Sequence, residues 1–221
     1  HGSLQDHGSF HEREFQLSTA RTIRTVSWAA LAALLLILAG VFGYQSWFGG
    51  TERSLMAGMK MGAPFKLVDH TGKPITDRAL AGKPAAVFFG FTHCPEICPT
   101  TLVELSGWLD EIGDEGTDIN AFFVSVDPVR DTPEIMRSYI ENFSTRIVGV
   151  TGDPAEVSRL AKAWFVYFKK VPLDDGGYTM DHTASIFLVD ADGHFKGTIA
   201  YGESSDTAIA KLRRLVKSAS R

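Results

Sequence analysis

The sequence has little cysteine, little net charge and no internal repeat. Because only two cysteines occur in 221 residues, all thiol chemistry must come from one pair. The formal net charge of −4 leaves no basic surplus, which excludes a nucleic-acid partner. Hydrophobic residues at 44% and charged residues at 22% exclude a disordered or fibrous chain. The length suits one ordinary domain with something attached.

The longest apolar run covers residues 26–48 and contains no charged residue. At ~1.5 Å per helical residue it is long enough to cross a hydrocarbon layer of ~30 Å. Trp28 near its start and Trp47 near its end suit the headgroup level of a bilayer. The alternative is a cleaved signal peptide, but the apolar part of such a signal usually has only ~7–15 residues. We therefore predict a single transmembrane helix at residues 26–48.

The charges beside this run predict its orientation. Arg21 and Arg24 precede it, whereas Glu52 and Arg53 cancel each other after it. Positive charge favours the cytoplasmic or matrix side, so the N-terminal tail, residues 1–25, is expected there. The first fifteen residues are typical of a purification tag or a disordered tail. We expect a linker at residues 49–62 and, in the periplasm or the intermembrane space, a domain at residues 63–221 of an inner-membrane protein.

In residues 63–221, apolar runs of strand length alternate with amphipathic runs of helix length, which predicts an α/β domain. The predicted elements are a hairpin around Thr71-Gly72, strand 85–91, helix 99–112, strand 119–126, helix 133–143, strand 147–150, helix 154–164, a hairpin of strands 185–189 and 195–201, and helix 207–216. The continuous apolar run at 85–91 predicts the middle strand of the sheet. This order resembles a thioredoxin-like fold with an N-terminal β-hairpin and one inserted helix–strand unit.

Cys94 and Cys98 directly follow the strand predicted at 85–91. Ligand sites of α/β sheets lie in loops at the carboxyl ends of strands. We expect Pro99 to be the first helical residue and Cys98 to be the helix cap, where the helix dipole lowers the pKa of a thiol. The two thiols suit Cu(I), and they could also close a reversible disulfide. A permanent structural disulfide is the alternative.

Two thiolates leave copper needing a third donor, and His182 is the best candidate. It starts the strand predicted at 185–189, which in a thioredoxin-like sheet runs antiparallel to strand 85–91 and so begins beside the cysteines. His93 is the competitor, although neighbours in an extended segment point to opposite sides. Asp127 and Asp131 lie in a loop at the same sheet edge. They could support the ligands or dock a target, or could serve only the loop and the helix start.

Three blocks of sequence carry a family resemblance. They are Gly90-Phe-Thr-His-Cys-Pro-Glu-Ile-Cys-Pro-Thr-Thr101, Val126-Asp-Pro-Val-Arg-Asp-Thr-Pro133 and Tyr178-Thr-Met-Asp-His182. Together they resemble the Sco/SenC family of copper chaperones for cytochrome c oxidase assembly. The resemblance implies that copper, as Cu(I) or Cu(II), binds to Cys94, Cys98 and His182. It also makes Asp181 a candidate supporting residue. Glu96 departs from the family pattern, in which Asp is commoner there.

The expected function is therefore that of a metallochaperone rather than an enzyme. By resemblance, its partners are the cytochrome c oxidase subunit that carries the dinuclear copper site and a further copper donor or thiol reductant. The alternative is an exported thiol–disulfide oxidoreductase, which this fold and a cysteine pair permit. Against that alternative, the two cysteines are spaced by three residues rather than two, and His182-Thr183 stands where redox thioredoxins carry a cis-proline.

Overall fold

The computed structural model describes residues 28, 31–40, 43, 58–174 and 176–219. The chain divides into two units, one ending at Ser54 and the other beginning at Leu55. In the first unit, the described residues are helical and exposed. Within the described residues no helix combines the length and the apolar character needed to cross a membrane. The rest of the predicted anchor at 26–48, the tail and most of the linker lie outside the described residues.

The second unit is an α/β fold, as predicted. Its strands are β1 (Lys66–Asp69), β2 (Pro74–Thr76), β3 (Ala85–Gly90), β4 (Asn120–Ser125), β5 (Ile147–Thr151), β6 (Phe168–Pro172), β7 (Tyr178–His182), β8 (Ser185–Val189) and β9 (Phe195–Ala200). Its α-helices are α1 (Ile97–Glu111), α2 (Pro133–Ile140), α3 (Pro154–Ala163) and α4 (Ser205–Ala219). Short 3-10 helices at Asp77–Leu80 and Gly113–Asp118 complete it.

Seven strands form one sheet in the order β2-β1-β5-β4-β3-β8-β9. β3 and β4 pair in parallel, as do β4 and β5. β8 runs antiparallel to β3, as predicted. The leading hairpin of β1 and β2 is also confirmed, and α2–β5 is the inserted helix–strand unit. β3 lies inside the sheet, but the middle strand is β4, one position away from the prediction.

All six residues of β3 are buried because both faces of the sheet are covered. Phe88 and Phe89 point to opposite faces, as neighbours in a strand do. The ring of Phe88 packs against Phe123 at a centroid distance of 5.8 Å. The ring of Phe89 lies 5.8 Å from that of Trp164, which follows α3. This two-sided packing explains the unbroken apolar run and fixes the carboxyl end of β3 within the core.

β6 and β7 were not predicted. They form a separate two-stranded antiparallel sheet that is not hydrogen-bonded to the seven-stranded one. His182 is therefore the last residue of β7, paired with Phe168 of β6, and does not start β8 as predicted. The prediction failed because most of β6 and β7 is exposed or half-buried, so neither strand carries the apolar run that marks a buried strand.

Candidate metal site

The loop after β3 carries both cysteines. The chain leaves β3 at Gly90, buries Phe91 and turns before α1 begins at Ile97. The cap of α1 is Glu96, not Cys98 as predicted, and Cys98 lies inside the first turn. Pro99 is tolerated as the third residue of the helix because the N–H groups of the first turn have no intrahelical partner. The predicted helix start was two residues late.

The sulfur of Cys98 lies directly against β3. Cys98 is fully buried, and a Cβ placed on Gly90 would lie 2.8 Å from its Sγ and 2.6 Å from the Phe123 ring. Such contacts are shorter than real Cβ atoms show. Only glycine at position 90 lets the strand and the sulfur approach this closely. This role of Gly90 was not predicted, although Gly90 opens the cysteine block.

The two thiols have opposite acidities. Cys94 is half-buried, and its Sγ accepts a hydrogen bond of 3.3 Å from the backbone N–H of Cys98. Hydrogen bonds from the Cys98 thiol and from the Cys98 backbone N–H lower the pKa of the Cys94 thiol to about 4, although burial opposes them. The hydrogen bond from Cys98 to Cys94, together with burial, raises the pKa of Cys98. The predicted acidic thiol at Cys98 is therefore wrong, and the thiolate belongs to Cys94.

His182 faces the cysteines from the end of β7. Its Nε2 lies 3.6 Å from the Sγ of Cys98. Its Nδ1 lies 3.0 Å from the backbone carbonyl oxygen of Thr183. A carbonyl can only accept, so Nδ1 carries the hydrogen and Nε2 presents its lone pair to the sulfurs. The ring of Phe91 meets the imidazole edge-on, at a centroid distance of 5.7 Å, and helps to fix its orientation.

Cys94, Cys98 and His182 together form a group that could hold a metal ion. One donor atom from each lies within 4.8 Å of the other two. Both cysteines are free, so the structure contains no disulfide between them. Two soft sulfurs and one imidazole nitrogen suit copper and zinc rather than magnesium or calcium. The competitor, His93, is not in this group, because its Nδ1 lies 3.1 Å from Thr92 Oγ1 and 3.8 Å from a carboxylate oxygen of Asp131.

Asp131 is buried under the cysteine loop. Its carboxylate accepts hydrogen bonds from Ser125 Oγ at 2.6 Å, from Thr92 Oγ1 at 2.6 Å and from the Thr92 backbone N–H at 3.1 Å. Burial raises the pKa of Asp131 in spite of these donors. The side chain thus ties the residue two positions before Cys94 to β4, and it does not join the donor group.

Asp127 is buried and lies in the same loop as Asp131, between β4 and α2, near the end of β4. It accepts a hydrogen bond of 2.9 Å from the Tyr178 hydroxyl and forms an ion pair with Arg130. Asp181 precedes His182 but is exposed, because neighbours in β7 point to opposite sides. Of the three candidate aspartates, Asp127 and Asp131 therefore contact the elements that carry the donors, and Asp181 does not face the site.

A second group of possible ligands, Asp190, Asp192 and His194, lies in the turn between β8 and β9. Asp190 Oδ1 accepts from the backbone N–H groups of Asp192 and His194, and Asp190 Oδ2 lies 2.8 Å from Lys196 Nζ. These bonds are those of a capped turn, with the charge already balanced by a lysine. This group therefore has a structural explanation without an ion.

Comparisons with known proteins agree on one family. The family model described as SCO1/SenC matches residues 54–217. The mitochondrial protein SCO2 of Saccharomyces cerevisiae is 34% identical over 206 residues, which are 86% of this chain and 67% of that protein. The mitochondrial SCO1 homolog of Homo sapiens is 41% identical over 138 residues. Those residues are 61% of this chain and 46% of the human protein, so the chain spans less than half of that relative.

Solved structures give the same result. The structure of Bradyrhizobium japonicum ScoI with copper bound has 47% sequence identity and a TM-score of 0.66, and it covers 70% of this chain and 99% of that one. The crystal structure of yeast Sco1 with copper bound has 33% identity and a TM-score of 0.67, and it covers 72% of this chain and 90% of that one. Both of these related structures contain bound copper.

Proposed function

This chain belongs to the SCO1/SenC family, and we propose that it is a copper chaperone that holds one copper ion between Cys94, Cys98 and His182. The observation that carries the proposal is the approach of their three donor atoms to within 4.8 Å of one another. The donors come from two separate parts of the fold, the loop after β3 and the end of β7. The copper-bound structures of the related ScoI and Sco1 support copper as the cargo.

The donor set fits both oxidation states of copper. Two thiolates can hold Cu(I) at low coordination number, whereas Cu(II) favours additional nitrogen or oxygen donors. His182 supplies such a nitrogen, already in the tautomer that leaves Nε2 free. Cys94 offers a thiolate before the metal arrives, but Cys98 must lose its proton on binding, because its pKa is raised. Copper binding should therefore release about one proton from Cys98.

Release of the cargo requires access from outside. Cys98 is fully buried, but Cys94 and His182 are only half-buried. We infer that an acceptor's ligand displaces Cys94 or His182 first and Cys98 last. By the family resemblance, the acceptor is the cytochrome c oxidase subunit that carries the dinuclear copper site. Another copper donor or a thiol reductant would act before this protein.

We further propose that residues 26–48 anchor the chain in the inner membrane. Their uncharged sequence supports this, as do Arg21 and Arg24 before them. The copper-binding domain at 63–221 would then face the periplasm or the intermembrane space, with the N-terminal tail in the cytoplasm or the matrix. Tagging each end and testing protease protection in sealed vesicles checks this orientation, and a protected C-terminal domain in right-side-out vesicles contradicts it.

Copper stoichiometry of the reduced full chain tests the central proposal. We expect one copper per chain in either oxidation state, with a thiolate-to-copper absorption band for Cu(II). The Cys94→Ser/Cys98→Ser double variant is the matched control, since it removes both sulfurs and keeps their size. Equal copper binding by the wild type and this variant would contradict the proposed ligands.

A second candidate function is supported by the unequal thiols. The half-buried Cys94 thiolate suits attack on a partner's disulfide, forming a mixed disulfide and releasing one partner thiolate. Cys98 would then lose its proton and attack the Cys94 sulfur, releasing the second partner thiolate. The protein's dithiol is oxidised and the partner's disulfide is reduced, with two electrons transferred. If this reductase role is the main one, His182→Ala should alter the reduction potential and leave copper affinity nearly unchanged.

A further inference from the structure

The hairpin of β6 and β7 carries His182 but is not hydrogen-bonded to the seven-stranded sheet. Phe168 and Met180 pack partly against the core. Tyr178, Met180 and His182 lie on one face of β7, because side chains two apart in a strand point the same way. A contact that holds Tyr178, at the start of β7, therefore restrains the strand whose last residue is His182.

Tyr178 is held by Arg130 through several contacts. The guanidinium of Arg130 lies over the Tyr178 ring, 3.7 Å from its centroid, and Nη1 donates a hydrogen bond of 2.8 Å to the Tyr178 carbonyl oxygen. Asp127 completes the arrangement, because it pairs with Arg130 and accepts from the Tyr178 hydroxyl at 2.9 Å. The planar guanidinium can stack on the ring with its face and donate hydrogen bonds from its edge.

The loop that contributes these contacts also holds the cysteines. Asp127 and Arg130 bind the hairpin, while Asp131 of the same loop binds Thr92 of the cysteine loop through hydrogen bonds of 2.6 and 3.1 Å. One short segment between β4 and α2 therefore contacts both parts of the site. The segment therefore joins the loop that carries the two sulfurs to the strand that carries the imidazole.

We propose that Arg130 and Tyr178 form a latch that positions His182, and that this latch sets how strongly the site prefers Cu(II). The proposal rests on the proposed copper ligands. With the latch broken, the hairpin carries His182 away from Cys98 while Thr92 and Asp131 keep the cysteine loop in place. The thiolates remain available for Cu(I), and the nitrogen donor that Cu(II) requires is lost.

The variant Arg130→Met in the full chain tests the latch. Supporting residues of metal sites typically change affinity by about 10–100-fold, and we expect Cu(II) affinity to fall within that range. Cu(I) affinity should change by less than about threefold, because both sulfurs remain. The matched control is Lys170→Met. Lys170 Nζ also lies over the Tyr178 ring, at 3.5 Å. Because Lys170 belongs to β6 of the same hairpin, this contact does not join the hairpin to the loop. It should leave both affinities unchanged.

A double-variant cycle shows whether Arg130 acts through His182. In the His182→Ala background, Arg130→Met should have no further effect on Cu(II) affinity, and nitrogen coupling in the Cu(II) electron paramagnetic resonance spectrum should be lost in either single variant. The latch would be overturned if Arg130→Met kept full Cu(II) affinity and the wild-type spectrum. It would also be overturned if Arg130→Met lowered Cu(II) affinity as much in the His182→Ala background as in the wild type. If wild-type protein binds no copper, the proposed function itself fails.

Because Arg130→Met leaves Asp127 buried without its cation, a second variant is needed in case the first does not fold. Tyr178→Leu removes the ring and the hydroxyl but keeps the ion pair of Arg130 with Asp127. It should weaken Cu(II) binding in the same direction and spare Cu(I). Wild-type Cu(II) affinity in folded Tyr178→Leu would overturn the latch.

Discussion

Cys98 Sγ and His182 Nε2 lie 3.6 Å apart although the two residues are separated by 84 positions in the chain. No local element brings them together. Cys98 is placed by the start of α1 against β3, and His182 is placed by the end of β7. The donor group therefore depends on the tertiary fold of the domain and on the hairpin that was not predicted.

The first prediction concerns His182→Ala. We expect Cu(II) affinity to fall at least about a hundredfold, more than the change typical of supporting residues. Cu(I) affinity should fall much less, since two thiolates can hold that ion. The fold should persist, because His182 is only half-buried at a strand end. Competition with chelators in both oxidation states measures these affinities, and a circular-dichroism melt checks the fold.

His93→Ala is the control for this prediction. Its side chain is about half exposed and lies outside the donor group, so both affinities should match the wild type. If His93→Ala lost Cu(II) while His182→Ala kept it, the assignment of the imidazole ligand would be wrong.

The second prediction concerns oxidation of the pair. Both cysteines are free in this structure, and a disulfide between Cys94 and Cys98 would remove both thiolates. The oxidised chain should lose high-affinity Cu(I) binding and regain it after reduction. Titration with Cu(I) before and after treatment with a disulfide reductant measures this. Full Cu(I) affinity in the disulfide form would place the site elsewhere.

The sequence predicted the elements whose residues obey strong local rules. The apolar run of β3 indicated a strand buried on both faces, and six buried residues confirm it. Thr132 was expected to cap the next helix with Pro133 as its first residue, and Thr132 Oγ1 accepts from the Ile135 N–H. Caps and continuous apolar runs are visible in sequence because their causes lie within a few neighbouring residues.

The order of the two thiol acidities and the role of Arg130 could not be predicted, because they depend on side-chain contacts made only in the folded chain. The acidity of Cys94 arises chiefly from the hydrogen bond donated by the Cys98 thiol, so the dipole argument applied to Cys98 alone reversed the order of the two thiols. Arg130 was not singled out, because the ring and the carbonyl oxygen that it contacts belong to Tyr178, 48 positions away. Tyr178 and Arg130 both lie in the blocks that carried the family resemblance, which was the one signal available.

The third prediction is a pH dependence of thiol reactivity in the metal-free, reduced chain. The thiolate is the form that reacts with iodoacetamide, and hydrogen bonding lowers the pKa of Cys94 to about 4. Because Cys94 is already ionised above that pH, its alkylation rate should be nearly constant from about pH 6 to 8, whereas an ordinary thiol with a pKa of about 8.5 speeds up about tenfold per unit. The rate should fall only as pH drops through about 4.

Peptide mapping identifies which thiol reacts. Cys98 is buried and its pKa is raised, so it should stay unmodified until the chain unfolds. In the Cys94→Ser variant, Cys98 is the only cysteine and loses the hydrogen bond to Cys94 that raises its pKa most, but it remains buried and should still resist alkylation. Rapid modification of Cys98 in the folded wild type, or a rate at Cys94 that rises steeply across neutral pH, would contradict the assigned acidities.

The last prediction concerns Gly90, whose role was not predicted from the sequence. A methyl group at this position would lie 2.8 Å from Cys98 Sγ and 2.6 Å from the Phe123 ring, so Gly90→Ala must push the sulfur or the ring aside. Overpacking of a core costs about 1–3 kcal/mol, and we expect the free energy of unfolding to fall by that amount. Displacement of Cys98 should also weaken both Cu(I) and Cu(II) binding, since its sulfur is a proposed ligand in both states.

Gly107→Ala provides the matched control. Gly107 is exposed within α1, and nothing lies within 4 Å of a Cβ placed there. Alanine in the middle of a helix is more stable than glycine by about 0.5–1 kcal/mol, so this variant should raise the free energy of unfolding. Its copper affinities should equal those of the wild type. Denaturant unfolding of the metal-free variants, together with copper competition, separates the two effects. If Gly90→Ala were as stable and bound copper as well as Gly107→Ala, the close approach of β3 to the Cys98 sulfur would not be required.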